Sequence, residues 1–314
     1  MSARTAIGVD VGGTGTRAAI VDAEGGILAR SERPTDPSAG TKGIISVIDD
    51  LTSQAPEVTA DIVGVGVGLA GFVDPFNGRV NFSPNLIYDD PDVAAAVAAR
   101  IDVPVRVDND ANVAAWGEHR FGTAKGLEHV VMVTLGTGVG SGFIVEGRIV
   151  HGASGAAAEL GHLVVDPDGP PCSCGLRGCL EQFASGSAIR RMAAEAVDED
   201  PSSTILSFAG TKSSITARHV AMAAREYDEA ARSVLRRAGR ALGIGLSNVV
   251  NLFDPQVIVL GGGVVKAGEP YLGPARDTLH EMNAAQRRRP TRIDTAVLGT
   301  DAGVVGAAAL VLEG

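Results

Sequence analysis

The chain has 314 residues, of which 45% are hydrophobic, 20% charged and only 4% aromatic, and its formal net charge is −10. A chain of this size buries a core of one large or two ordinary domains, and its negative charge disfavours non-specific binding to nucleic acid or an anionic membrane. No apolar stretch is long enough to span a bilayer and no leader pattern precedes the first strand-like run. Together with an odd count of three cysteines, this gives the expectation of a reducing, cytoplasmic setting without disulfides.

Residues 6–14 read as a strand that runs into the turn Asp10-Val11-Gly12-Gly13-Thr14. Strands follow at 17–21 and from Ile27, joined by a turn at 22–26. A helix is expected at 43–51, a buried strand at 62–67, a strand at 104–107 and a helix at 111–119. The first rhythm then returns: a strand from Val130, the turn Gly136-Thr137-Gly138, a strand at 142–145, a turn at Glu146-Gly147 and a strand at 148–150. Two α/β stretches that open alike imply a duplicated fold with a cleft between its halves. Further on, 230–250 reads as a long helix, 257–260 as a strand and 295–298 as the last strand. The closing helix, 303–312, is apolar on nearly all sides and should be buried. The polar stretch 199–214 reads as a loop or irregular excursion, and Arg287-Arg288-Arg289 as a solvated cluster.

The glycine-rich turns are candidate phosphate sites. Bare backbone lets a phosphate approach closely, and N–H groups with threonine hydroxyls donate to its oxygens. Gly12, Gly13 and Thr14 form one such turn, Gly136, Thr137 and Gly138 a second, and Gly262 and Gly263 end the strand at 257–260. Asp10, at a strand end, is placed to hold magnesium through water. A single Gly-rich turn would be a mere connector; two in matching hairpins plus a third point to a nucleotide. The chain has four lysines and no G-x-x-x-x-G-K-[ST] run, so it is not a P-loop protein. The strand–turn–strand setting of Gly136 to Gly140 is also wrong for a Rossmann site.

Asp108-Asn109-Asp110-Ala111-Asn112 lies where a strand enters a helix, the end of an α/β sheet at which chemistry sits. Asp110 is the candidate general base for a substrate hydroxyl, and one of Asp108, Asn109 and Asp110 should cap the helix. All three cysteines lie close to a histidine: His162, Cys172, Cys174 and Cys179 supply four ligands of the kinds zinc prefers. Four protein ligands close such a site, which argues for a structural ion and against a zinc hydrolase. Glu159, His162 and Glu181 flank the cluster and match the hydroxyls of a sugar, where each unpaired buried partner costs about 1–3 kcal/mol. His119, His129, His151, His219 and His280 show no partner pattern and read as ordinary surface or core histidines.

These residues assemble into a pattern. Asp10-x-Gly12-Gly13-Thr14, Gly68-Leu69-Ala70-Gly71-Phe72-Val73-Asp74, Asn109-Asp110-Ala111-Asn112 and Leu135-Gly136-Thr137-Gly138 form its first half. Glu159-x-Gly161-His162, the Cys172 to Glu181 run and Phe253-Asp254-Pro255 through Gly263 form its second. With them the chain resembles, over nearly its whole length, the ROK family of bacterial sugar kinases and repressors. The resemblance implies a duplicated actin/hexokinase-like (ribonuclease H-like) α/β fold with two domains flanking a cleft that closes on sugar. The small domain would be 1–110 plus 301–314, and the large one, 111–300, would carry the zinc motif and the dimer contacts. It implies glucokinase activity with ATP and Mg²⁺, polyphosphate being an alternative donor, and a homodimer or homotetramer. Asp110 would be the base, and Gly71, Asn85, Asn109, Asp110 itself, Glu159, His162 and Glu181 would line the sugar pocket. Asp10 to Thr14 and the Thr137 turn would hold phosphates, Gly262-Gly263 the adenosine, and His162, Cys172, Cys174 and Cys179 a structural zinc. The alternatives are a kinase for N-acetylglucosamine, N-acetylmannosamine, mannose or fructose, or a sugar-responsive regulator without catalysis. With a strand-like start near Ala6, the helix-turn-helix of the family's repressors is not expected here.

Overall fold

The small apolar residues of the first strands are explained by what packs on them. In the computed structural model, which describes residues 4–59, 61–83, 86–88, 90–284 and 286–312, the chain forms two compact units. One is Met1–Met132, Gly142–Ala158 and Ala296–Gly314, and the other is Val133–Ser141 with Glu159–Thr295.

The first unit opens with the antiparallel strands β1 (Thr5–Val11), β2 (Gly15–Asp22) and β3 (Ile27–Pro34). Helix α1 (Gly40–Gln54), β4 (Ile62–Leu69), the hairpin β5 (Phe72–Asp74) and β6 (Arg79–Phe82), α2 (Val93–Ile101), β7 (Val105–Asn109) and α3 (Asp110–Arg120) follow. The sheet order is β3-β2-β1-β4-β7, with β4 parallel to β1 and β7 parallel to β4. Alternation assigns each strand two faces. Ile7, Val9 and Val11 share a core with Ile44, Ile48 and Leu51 of α1 and Val93 and Val97 of α2. Ala6 packs instead with Ala19, Val21 and the closing helix. That helix lies so near that a Cβ at Gly8 or Gly66 would collide with the carbonyls of Val304 and Ala307. Close packing of backbone on backbone is why this sheet face is Ala and Gly. Even one added methyl would push the helix away, at a cost of about 1–3 kcal/mol or more.

The strands β8 (Val130–Leu135), β9 (Val139–Val145) and β10 (Arg148–Ile149) begin the second sheet. After α4 (Glu181–Ala184), α5 (Gly186–Glu199), α6 (Ile205–Ala209), α7 (Ala217–Arg225) and α8 (Glu229–Phe253) come β11 (Val257–Gly261), α9 (Glu269–Met282), β12 (Arg292–Thr295) and the closing helix α10 (Ala302–Leu312). The order β10-β9-β8-β11-β12 repeats that of the first sheet, so the expected duplication is present. Helix α8 is capped by Asp228, which accepts from Ala231 N–H, and ends at Asp254 in a left-handed conformation. Its Gly239 and Gly243 let α9 approach, since Cβ atoms there would meet the carbonyls of Tyr271 and Ala275. As expected, α10 is buried along nearly its whole length.

Two expectations need correction. The last strand is Arg292–Thr295, not 295–298, because parallel pairing sets Val257 against Arg292 and Leu260 against Thr295. Val297, the apolar residue that argued for a later strand, is 69% exposed. The stretch 199–214 also contains helix α6, anchored by Ile205, which is fully buried. Among the described residues no helix is long and apolar enough to cross a membrane.

Candidate active site

The end of β7 and the head of α3 form one hydrogen-bonded frame. Asn109 is extended and caps the helix: its Oδ1 accepts from Ala111 N–H (2.8 Å) and Asn112 N–H (3.3 Å). Its Nδ2 donates to the Gly71 carbonyl at 3.0 Å, leaving one amide hydrogen for a ligand. Asp110, the first helical residue, is half-buried, and its Oδ1 accepts from Ala111 N–H at 2.9 Å. Asp108 is buried; its Oδ1 accepts from Asn109 N–H (2.7 Å) and Asn112 Nδ2 (2.9 Å). Its Oδ2 lies 2.6 Å from His151 Nε2. That pairing corrects the plain reading of His151. The partners are 43 positions apart, so no local pattern could reveal them.

In the same unit, Gly13 and Thr14 are exposed at the β1–β2 turn, which closes through Gly12 N–H to Gly15 C=O at 3.0 Å. Thr35 braces it by donating to the Gly12 carbonyl at 2.7 Å. Asp10 stands just before the turn, under α10, where a Cβ on Gly303 would approach its Oδ2 at 2.5 Å. Burial raises the pKa of Asp10, and the charge of Arg17 opposes that rise. Asn85 lies outside the described residues.

In the second unit, Gly136 N–H donates to Gly138 C=O at 3.0 Å, and Thr137 is exposed at the tip of the turn. Glu181 fastens this turn: its Oε2 accepts from Val139 N–H at 3.0 Å. Expected only on the sugar side, Glu181 thus also supports the turn at Gly136 to Gly138. Gly186 N–H, at the head of α5, donates to the Gly136 carbonyl at 2.8 Å. Gly262 has φ +89°, and a Cβ there would collide with Leu135, so its glycine is needed for packing; Gly263 faces open space. A cavity of about 560 Å³ is lined by Gly136, Thr137, Ser187, Arg190, residues 213–218, Gly263 and Val264. Ser187, Arg190 and Arg218 were missed from the sequence. The Ser185 N-cap ahead of an amphipathic run was the available signal for the α5 head.

His162, Cys172, Cys174 and Cys179 converge, their ligand atoms all within 4.8 Å of one another. Cys172 Sγ is 3.7 Å from His162 Nδ1, and Cys174 Sγ is 3.6 Å from Cys179 Sγ. Tetrahedral zinc with ordinary bond lengths sets its ligands roughly 3.5–3.8 Å apart, so the residues fit such an ion. Gly178 (φ +70°) allows the return of the loop; a Cβ there would collide with the Asp166 carbonyl. Burial pushes up the Cys172 thiol, but hydrogen bonds from Cys174, His162 and Cys179 outweigh it and bring it down to about 7. Burial and the neighbouring thiols push Cys179 up to about 12. Nδ1 is the ring nitrogen that His162 turns to Cys172. Burial raises the pKa of Glu159; His162 opposes this and Glu181 adds to it.

Residues 6–314 match the ROK family, and the chain belongs to it. It is 39% identical over 313 residues to a glucokinase of Streptomyces coelicolor, covering 98% of this chain and 97% of that protein. It is 36% identical over 308 residues to a glucokinase of Thermotoga maritima, covering 98% and 97%. Its structure is similar, with a TM-score of 0.85 and 40% identity, to a ROK family glucokinase from Streptomyces griseus in complex with glucose and AMPPNP, covering 99% of this chain and 100% of that one. The fold is accordingly the duplicated α/β architecture of the actin/hexokinase-like type.

Proposed function

We propose that this protein is a glucokinase, which transfers the γ-phosphoryl group of ATP to the 6-hydroxyl of glucose. The observation that carries this reading is Asp110. It begins α3 at the carboxyl end of a parallel strand, and the Asn109 cap and the Asp108 carboxylate hold the backbone on both sides of it. As the bond from O6 to the γ-phosphorus forms, Asp110 takes the O6 proton, and the bond to the β-phosphate oxygen breaks to release ADP. In the second unit, Glu159, the Nε2 of His162 and the second oxygen of Glu181 would exchange hydrogen bonds with the sugar hydroxyls; Gly71 and Asn109 of the first unit are further candidates to contact the sugar.

Gly12 to Thr14 and the Thr137 turn offer N–H groups and hydroxyls to the phosphates, and the open backbone at Gly263 faces the nucleoside. Asp10 and the donor phosphates would hold the Mg²⁺ of ATP, which offsets charge on the transferring group when bound. His162, Cys172, Cys174 and Cys179 would hold a structural zinc that keeps the loop in shape. Asp110→Asn preserves the oxygen that accepts from Ala111 N–H, so the frame should survive. We expect kcat to fall by about 10²–10⁴-fold, the usual worth of a general base, with the glucose Kd from calorimetry nearly unchanged. Retained turnover would remove Asp110 from its role.

A further inference from the structure

We propose that His151 is a positioning residue for phosphoryl transfer, acting on Asp110 through Asp108. This inference rests on the reading of Asp110 as the base. A carboxylate as buried as Asp108, 3% exposed, is tolerated only when its lone pairs are well partnered. Here the partners have a pattern. Two of them, Asn109 N–H and Asn112 Nδ2, come from residues on either side of Asp110 and share Oδ1, at 2.7 and 2.9 Å. Asp108 therefore clamps the first turn of α3 both before and after the base. The third partner, His151 Nε2, holds Oδ2 at 2.6 Å from the segment that follows β10.

A carboxylate held by Oδ1 alone can pivot about its Cβ–Cγ bond. Held at both oxygens from different directions, it cannot. His151 is itself oriented: its ring meets Phe76 edge-on, with centroids 5.8 Å apart and planes at 74°. The Nε2 that would otherwise be free to exchange a proton is spent on Asp108, so His151 acts on geometry and not on the reacting atoms. Transfer of a phosphoryl group depends chiefly on positioning. A slack base should therefore show in kcat, and sugar affinity, carried by other groups, should be spared.

The test compares His151→Ala with His151→Gln, whose amide can still donate to Oδ2. His151→Ala should lower kcat by roughly 10- to 100-fold, the scale of a catalytic group displaced by about an ångström, with the glucose KM within about 3-fold of the parent. His151→Gln should recover most of the loss, and added imidazole should raise the kcat of His151→Ala with saturation. A His151→Ala kcat within about 2-fold of the parent would overturn the proposal. So would a loss that falls on KM alone, or one that neither the amide nor imidazole repairs. Asp110→Asn assayed alongside separates the two readings. If it stays active, the base assignment fails. If it is inactive while His151→Ala turns over normally, only the role of His151 fails.

Discussion

The head of α3 and the loop from Glu159 to Glu181 both fix polar side chains, by different means. At α3, a strand and a helix already supply ordered backbone. The remaining fastening is hydrogen bonds: the Asn109 cap, the Gly71 carbonyl and the buried Asp108. The other region is mostly irregular, with a single turn of 3₁₀ helix at Leu160–His162 and isolated bridges at Val164–Cys179 and Pro171–Arg177. There, four metal-type ligands gather in place of regular structure. Where elements provide partners, capping suffices; where a loop must hold a shape alone, a bound metal ion would supply stronger bonds. Glu181 adds a second difference, since it joins the loop to the Thr137 turn through Val139 N–H.

Removing the fastening of the loop should have the largest effect on this contrast. Cys174→Ala, or prolonged treatment with a strong chelator, should lower Tm and weaken glucose binding together. A loss of about 3 kcal/mol would lower Tm by roughly 5 °C in a chain of 314 residues. Thermal scans paired with calorimetry decide it: lower Tm with unchanged glucose affinity would make the cluster a staple without influence on the sugar. A smaller effect is expected at Glu181. Glu181→Ala should raise the glucose KM by about 10- to 100-fold, as expected for a lost charged hydrogen bond, and the ATP KM several-fold. Glu181→Gln keeps an acceptor for Val139 N–H, so it should restore the ATP KM while the glucose KM stays high. Equal effects of the two variants on ATP would break the proposed link between loop and turn.

The smallest effect concerns Glu159. Its carboxyl pKa is raised in the folded protein by burial, so the folded state holds its proton more tightly than the unfolded state does. Stability from this group then falls as pH rises from the ordinary carboxylate range through the raised value. Because the residue is exposed over much of its surface, the effect should be modest. Glu159→Gln should flatten the decline in Tm over that window and weaken glucose binding. A Tm profile identical to that of the parent would show that Glu159 carries no such burden.

Much of the frame was legible because its signals are local. Val and Ile runs broken by Gly12-Gly13 and Gly136 gave the strands and turns, residue type narrowed the helix cap to Asp108, Asn109 or Asp110, and the metal-ligand spacing stands within one loop. What stayed hidden depends on partners distant in sequence. His151 needs Asp108, and the second duty of Glu181 needs Val139, 42 positions away. The Gly and Ala face of β1 becomes intelligible only once α10, from the far end of the chain, is laid on it. The last strand was misplaced because Ala296-Val297-Leu298 looks more strand-like than Arg292–Thr295, and register with β11 decided otherwise.

The central claim is most directly tested by a coupled assay with ATP across a panel of hexoses and N-acetylhexosamines. Glucose should give the highest kcat/KM, with 6-phosphate as product. No turnover of glucose, with an N-acetylhexosamine phosphorylated in its place, would contradict the account.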